Sequence, residues 1–246
     1  MKAKHIQRFW EIDLLRGIAI ILMIIFHFFY DLNFYKIYKI SLYTDFFLVY
    51  AYAVGSVFIL LVGISLSLSH SRIKNKLSKQ QIIKKFFIRG LKIFTLGLII
   101  SLATWLYLRE GFIIFGVLHC IGLSIILAVP FLKLKKFNLI LGIILVSFGI
   151  ILKSFTFDFY WLMWLGFTPT TLYTVDYYPL LPWFGIVLIG IFVGNIFYKD
   201  YKRIISVRDL SKYKPIKFFS FLGRNSLIIY FLHQPILIAI IHLLLL

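Results

Sequence analysis

The sequence predicts an all-α, polytopic transmembrane helix bundle of about seven helices, and three observations carry that prediction. The 246 residues are 61% hydrophobic and only 15% charged, whereas about a quarter of the residues of an ordinary globular domain are charged. The mean hydropathy is +0.95. Long apolar runs alternate with short clusters of lysine and arginine. We therefore expect a multi-pass protein of the cell membrane, with a single domain over residues 1–246.

Seven apolar runs are long enough, or nearly so, to cross about 30 Å of hydrocarbon. They cover residues 12–31, 46–69, 87–108, 113–131, 137–153, 180–198 and 222–245. The fifth run is the shortest. Small residues along the second run, among them Gly55, Gly63 and Ser67, are typical of close helix packing in a membrane.

The basic residues predict the orientation of the bundle. Nineteen lie in alternate loops, beginning with Lys2, Lys4 and Arg8, and only four lie in the opposite loops, so the N-terminus is expected inside and the C-terminus outside. This distribution also explains the net charge of +18 without nucleic acid as a partner. The lipid bilayer is the expected partner, and a homodimer remains open beside a monomer.

The first run, EIDLLRGIAIILMIIFHFFYD, contains ionisable residues at membrane depth. At about 100° and 1.5 Å per residue, Arg16 and His27 lie on one helix face about 16 Å apart, and Asp13 and Asp31 fall near the same line. Ionisable groups at this depth are costly and usually face a bundle interior or a wet cavity. The stripe is therefore a candidate site.

Further candidates lie in later runs. His119, in FGVLHCIG, is read as a core histidine or as a site residue, whereas Cys120 beside it is read as packing. The last run begins GRNS and continues IIYFLHQP, where Pro235 removes a backbone donor and predicts a local break near His233 and Gln234. Three histidines could in principle bind a metal, but no carboxylate pattern supports it, and no metal is expected.

The segment 154–179 is the longest of the predicted outer loops. It is rich in tyrosine and tryptophan and leads into LPWFG, which contains Trp183. Such aromatics are typical of a membrane-interface belt, but they could equally cover a substrate. Both interpretations stay open from the sequence.

The motifs together resemble a known family. EIDLLRGIAIILMIIFHFFYDL, VGSVFILLVGISLSLS, FGVLHCIG, LPWFG and GRNSLIIYFLHQP occur in an order similar to small prokaryotic membrane proteins grouped with the catalytic domain of heparan-α-glucosaminide N-acetyltransferase. The arginine, ten residues and histidine of the first motif resemble the signature of the wider acyltransferase-3-like group. The resemblance implies a transmembrane enzyme that moves an acyl group from cytoplasmic acyl-CoA, expected to be acetyl-CoA, to an extracytoplasmic acceptor.

The resemblance implies that His27 is the catalytic histidine and that Arg16 is its basic partner. In the mechanism that we hypothesise from the polar stripe, His27 is the general base and Asp31 holds its other nitrogen. His119 and His233 would bind the carbonyl or the acceptor, or accept the acyl group themselves. Substrate-binding candidates are Arg16, Asp13, Arg224, Asn225, Ser226, Gln234 and Trp183. The acceptor is expected to be a hydroxyl or amine of a glycan or lipid-linked sugar.

A rival interpretation is a small transporter or flippase for an ion or a lipid-linked sugar. Buried histidine and arginine would serve as its path equally well. Against it, the two halves of the chain show no internal repeat, which many transporters have.

Overall fold

The computed structural model describes residues 8–39 and 44–245, so Lys2 and Lys4 lie outside the described residues. This part of the chain forms eight α-helices, which confirms the all-α prediction. They are α1 (Trp10–Phe34), α2 (Asp45–Ile73), α3 (Lys79–Leu108), α4 (Val117–Leu127), α5 (Phe137–Leu152), α6 (Leu180–Phe197), α7 (Lys214–Arg224) and α8 (Ser226–Leu245). Two short 3₁₀ helices lie at Pro130–Lys133 and Met163–Leu165, and β1 (Tyr198–Lys199) pairs with β2 (Lys202–Arg203) as a small antiparallel hairpin.

Five of the described helices, α1, α2, α3, α6 and α8, are long and apolar enough to cross a membrane. They make the chain a multi-pass membrane protein. The fourth and fifth predicted runs form helices of only 11 and 16 residues, which reach about 16 and 24 Å at 1.5 Å per residue. The prediction of seven long spans therefore exceeds what the described helices provide.

Local sequence explains several helix boundaries that hydropathy placed differently. The side chain of Ser78 accepts a hydrogen bond from the backbone N–H of Gln81, and the side chain of Gln81 accepts one from the backbone N–H of Ser78, so α3 begins in the basic segment before the apolar run. The last predicted run divides at Asn225 into the end of α7 and all of α8. In contrast to the expected break, α8 continues through Pro235 as one helix.

The described chain divides into two compact units. The first unit comprises Met1–Phe58 and Val207–Leu246, and the second comprises Ile59–Ser206.

In the first unit, α1 packs closely against α7. A Cβ atom on Gly17 would lie 1.9 Å from the carbonyl oxygen of Phe219, and one on Gly223 would lie 1.8 Å from the carbonyl oxygen of Asp13. No side chain fits at such distances, so these two glycines let the helix backbones touch. Small residues at helix contacts are the usual means of close approach in membranes.

In the second unit, the core is formed mainly by α2, α4 and α6. Leu66, Ile125, Val187 and Ile191 are almost completely buried there. Gly63 of α2 faces the backbone of α6, and Ser67 donates a hydrogen bond to Asn195 Oδ1 over 2.8 Å. Gly63 and Ser67 of the second run thus serve packing.

The segment 154–179 folds onto the second unit through its own hydrogen bonds. Val175 N–H donates to the carbonyl oxygen of Gly111, and the Thr174 hydroxyl donates to that of Phe112. Asp176 then reaches the start of α4. The segment is an ordered part of this unit.

Candidate active site

Two histidines of the first unit lie side by side where α1 meets α8. The ring centroids of His27 and His233 are 4.8 Å apart, and the planes cross at 80°. His27 is half-buried and His233 is 8% exposed. The structure thus brings together two histidines that are separated by most of the sequence.

Backbone contacts define the tautomer of each ring. His27 Nδ1 lies 2.9 Å from the carbonyl oxygen of Met23, and His233 Nδ1 contacts the carbonyl oxygen of Tyr230. A carbonyl oxygen can only accept a hydrogen bond, so each Nδ1 carries the proton. In the neutral rings, Nε2 of both histidines is therefore left with a lone pair, which is the state that a proton-accepting base needs.

Asp31 lies four residues after His27 on α1, Gln234 directly follows His233 on α8, and these two residues join the same helices. Gln234 Nε2 donates to Asp31 Oδ1 over 2.6 Å, and Asp31 is 2% exposed. Asp31 Oδ2, Gln234 Oε1 and His233 Nε2 are buried and have no hydrogen-bond partner among the described residues. We call His27, Asp31, His233 and Gln234 the acceptor cluster.

This arrangement differs from the pairing expected for Asp31. The sequence-based hypothesis gave Asp31 the task of holding the second nitrogen of His27. In the structure, a backbone carbonyl takes Nδ1 of His27, and the hydrogen bond described for Asp31 goes to Gln234.

At the other end of α1, polar groups pair with one another. Arg16 Nη1 donates to Asp13 Oδ1 over 3.1 Å and to the carbonyl oxygen of Gly223 over 3.3 Å. This second bond crosses from α1 to α7. Arg16 therefore ties the two helices at the place where their glycines meet.

A cavity of about 180 Å³ opens beside this tie, within the first unit. We call it the basic cavity, and its lining consists of Arg8, Trp10, Asp13, Ser211, Lys217, Ser220 and Arg224. Trp10 Nε1 is a buried donor that has no partner among the described residues. The cavity therefore presents cations, hydroxyls and an indole N–H, with Asp13 already paired to Arg16.

Most of the residues lining the basic cavity were not among the sequence-based candidates. Asp13 and Arg224 were candidates, but the other five residues were not: Arg8, Trp10, Ser211, Lys217 and Ser220. A usable signal was present in KPIKFFSFLGR, because its lysines and phenylalanines alternate as in an amphipathic helix. Hydropathy alone assigned most of that stretch to a loop.

Two adjacent candidates occupy the junction between α7 and α8. Asn225 follows α7, and its side-chain amide donates to the carbonyl oxygen of Phe221 over 2.9 Å. Ser226 is the first residue of α8. Their described positions give them a role in connecting the helices.

His119 belongs to the second unit and has a helix-capping contact there. Its Nδ1 accepts a hydrogen bond from the backbone N–H of Gly116 over 3.2 Å. The ring is 2% exposed and packs against Phe94 and Phe115. These contacts are those of a core histidine that completes the start of α4.

Trp183 and Cys120 are also core residues of the second unit. Trp183 is 3% exposed and its ring lies 4.6 Å from that of Tyr178. Cys120 is fully buried beside Ser124. In the described residues no group of three or more histidine, cysteine, aspartate or glutamate side chains has the arrangement of a metal site.

Asp176 is the acidic group of segment 154–179 with the clearest electrostatic signature. Burial raises its pKa to about 6, although the carboxylate accepts a hydrogen bond from the backbone N–H of Val117 over 3.1 Å, which lowers the pKa. Asp176 therefore caps α4 at a cost in charge desolvation.

Comparison with known families identifies the wider context of this geometry. The model of the catalytic domain of heparan-alpha-glucosaminide N-acetyltransferase matches residues 8–235. The chain belongs to this family. The match confirms the resemblance of the motifs and includes helices from both compact units. A comparison with curated proteins and one with solved structures each give no match.

Membership of the heparan-alpha-glucosaminide N-acetyltransferase family makes the chain a membrane acetyltransferase that uses acetyl-CoA as donor. The matched region contains the whole acceptor cluster and the whole basic cavity.

Proposed function

We propose that the protein transfers an acetyl group from cytoplasmic acetyl-CoA to a hydroxyl or amine of an extracytoplasmic glycan or lipid-linked sugar, with His27 as general base. The observation that carries this proposal is the backbone contact of His27. Because Nδ1–H donates to Met23, the lone pair of Nε2 is held in a fixed direction at the acceptor cluster.

The reaction needs one proton acceptor, which His27 supplies. The acceptor oxygen or nitrogen attacks the carbonyl carbon of the thioester and passes its proton to His27 Nε2. The new bond to the acetyl carbon forms as the carbon–sulfur bond breaks. The CoA thiolate then takes the proton from His27, which restores the neutral ring and releases CoA.

The basic cavity is the proposed binding place for phosphate groups of the donor. Arg8, Lys217 and Arg224 offer positive charge, and the Ser211 hydroxyl and the Trp10 indole offer further donors, whereas the Ser220 hydroxyl donates to the carbonyl oxygen of Trp10. Phosphate oxygens accept such bonds well. The predicted orientation of the first helix puts this end on the cytoplasmic side, where acetyl-CoA is found.

The same contacts suggest a different task for Arg16 from the one expected. Its described bonds go to Asp13 and to the backbone of Gly223. We therefore assign donor binding to the cavity residues, with Asp13 and Arg16 supporting the cavity wall.

A Lys217→Ala variant should raise the Kd for CoA about tenfold, because one charge-assisted hydrogen bond contributes about 1.5–3 kcal/mol. Lys212→Ala, which changes a lysine outside the cavity lining, is the matched control.

Acetyl transfer is tested with the purified protein in detergent, labelled acetyl-CoA and glucosamine as acceptor. His27→Ala should lower the rate about 10²–10⁴-fold, which is the usual contribution of a general base. His242→Ala is the matched control, because His242 lies on α8 with the same Nδ1 contact to a backbone carbonyl, at 2.9 Å, but is exposed. A full rate in His27→Ala would overturn the proposal.

A further inference from the structure

The buried atoms of the acceptor cluster that lack a hydrogen-bond partner are all hydrogen-bond acceptors. Asp31 Oδ2 and Gln234 Oε1 are oxygens without a hydrogen, since Gln234 Nε2 already donates to Asp31 Oδ1. His233 Nε2 carries a lone pair because Nδ1 of the same ring donates to the backbone. Asp31 of α1 and the consecutive residues His233 and Gln234 of α8 thus carry three buried hydrogen-bond acceptors, and no donor is described for them.

Such an arrangement favours a bound partner that supplies donors. Buried polar groups are normally satisfied, and an unsatisfied buried acceptor is a destabilising feature. Asp31 is 2% exposed and His233 is 8% exposed, so bulk water has little access to either side chain. Amino and hydroxyl groups would complete all three acceptors, whereas phosphate and carboxylate groups would add further acceptors and a negative charge.

We propose that Asp31, Gln234 and His233 form the subsite for the acetyl acceptor, and that Asp31 selects acceptors that present amino or hydroxyl donors and no negative charge there. This inference rests on the proposed acetyl transfer. It assigns Asp31 and Gln234 as positioning residues for the acceptor, in place of a role in orienting the His27 ring.

The placement along the helices supports this assignment. Asp31 lies four residues after His27, so it projects from the same face of α1 one turn further on. Gln234 directly follows His233, whose ring contacts that of His27. An acetyl acceptor that donates hydrogen bonds to the side-chain oxygens of Asp31 and Gln234 would therefore keep a neighbouring hydroxyl or amine of its own close to His27 Nε2.

A purely structural role makes a different prediction. If the Gln234–Asp31 hydrogen bond only ties α8 to α1, its loss should lower stability and affect both substrates alike. A binding role should raise the KM for the acceptor and leave the KM for acetyl-CoA unchanged. The two substrates thus separate the possibilities within one assay.

The test measures acetyl transfer by the full-length protein in detergent to glucosamine and to glucosamine 6-phosphate. Asp31→Asn should raise the KM for glucosamine about tenfold to a hundredfold, which is the effect expected for a lost hydrogen bond to a charged group. The KM for acetyl-CoA should stay within about twofold. Asp31→Glu should recover part of the loss, and Glu11→Gln, which alters another acid of α1, should match the wild type.

The wild-type protein provides a second test that needs no variant. It should use glucosamine at least about tenfold more efficiently than glucosamine 6-phosphate, because Asp31 repels the phosphate, and Asp31→Asn should narrow that ratio. Equal use of both sugars by the wild type, or an unchanged acceptor KM in folded Asp31→Asn, would overturn the subsite. Transfer to neither sugar, nor to a neutral lipid-linked sugar, would instead contradict the proposed function itself.

Discussion

The two ends of α1 carry similar polar residues, but the hydrogen-bond partners of these residues differ between the ends. Near its start, Arg16 is bonded to Asp13 and to a carbonyl oxygen of α7, beside a cavity that is rich in donors. Near its end, Asp31 is bonded to Gln234 of α8, but three acceptors of that cluster lack a donor. A polar residue at membrane depth is thus informative mainly through the partners that its neighbours leave open.

The difference between the ends also matches the two substrates of an acetyl transfer. A donor-rich cavity suits the phosphates of acetyl-CoA, and an acceptor-rich cluster suits the hydroxyl or amino groups of a sugar. The helix itself would place the two kinds of site on one scaffold about 16–27 Å apart, at 1.5 Å per residue.

The largest expected effect concerns the contact that fixes the first of these ends. Gly223→Val should abolish folding or destabilise the protein by more than about 3 kcal/mol, because its Cβ would overlap the carbonyl oxygen of Asp13. Fluorescence-detected size exclusion and a thermal melt in detergent measure this. Lys214→Ala on the same helix should remain within about 0.5 kcal/mol of the wild type. A stable Gly223→Val protein would show that α1 and α7 do not touch as described.

A smaller effect is expected at Asp176, a buried acid that accepts its hydrogen bond from a backbone N–H. Asp176 caps α4, and burial raises its pKa to about 6 from the ordinary value of 3.8. Between these values the folded state binds more protons than the unfolded state, so this group makes stability fall as pH rises from about 4 to about 6. The stabilisation is fully present below the unfolded pKa and is lost above the folded one.

Asp176→Asn keeps an oxygen for Val117 N–H but cannot ionise. We expect the difference in Tm between this variant and the wild type to grow in favour of the variant from pH 4 to pH 6 and to remain constant above. A thermal melt series in detergent measures the difference. If the two curves stay parallel over this interval, Asp176 does not titrate as described.

The smallest effect belongs to an exposed ion pair of the second unit. Lys74 Nζ lies 2.8 Å from Asp200 Oδ1, and the Asp200 side chain is 61% exposed. The lysine lowers the pKa of Asp200, but solvent screens an exposed ion pair, so it contributes little to stability. Lys74→Ala should therefore leave the Tm and the acetyl-transfer rate nearly unchanged. A large loss of Tm or of the acetyl-transfer rate would contradict this expectation, because it would show that the exposed pair matters as much as the buried polar contacts.

Much of this organisation could be predicted from local pattern. The polar stripe of α1 follows from helical spacing, and the family resemblance follows from motif order. Hydropathy did not reveal α7 as a separate amphipathic helix, because its apolar residues occupy one face of a short, basic segment. It also overestimated α4, because apolar composition does not show where backbone turns end a helix.

The partners of the stripe could not be predicted from the sequence. The bonds of Arg16 to Gly223 and of Asp31 to Gln234 join residues about 200 positions apart. Only the packing of α1 against α7 and α8 decides which polar atoms are paired and which are left open. The roles that we propose for Arg16 and Asp31 therefore differ from those expected from the sequence, whereas His27 stays the proposed base.

The most direct test compares the two ends through one variant at each, His27→Gln and Arg16→Gln. Both are measured for kcat of acetyl transfer per folded molecule and for Tm in detergent. His27→Gln should lower kcat about 10²–10⁴-fold with little change in Tm. Arg16→Gln should lower the Tm, because it leaves Asp13 without its ion pair at a cost of about 1–3 kcal/mol, and should keep kcat within about threefold. The reverse pattern, a stable Arg16→Gln protein that has lost kcat beside a fully active His27→Gln protein, would contradict the account.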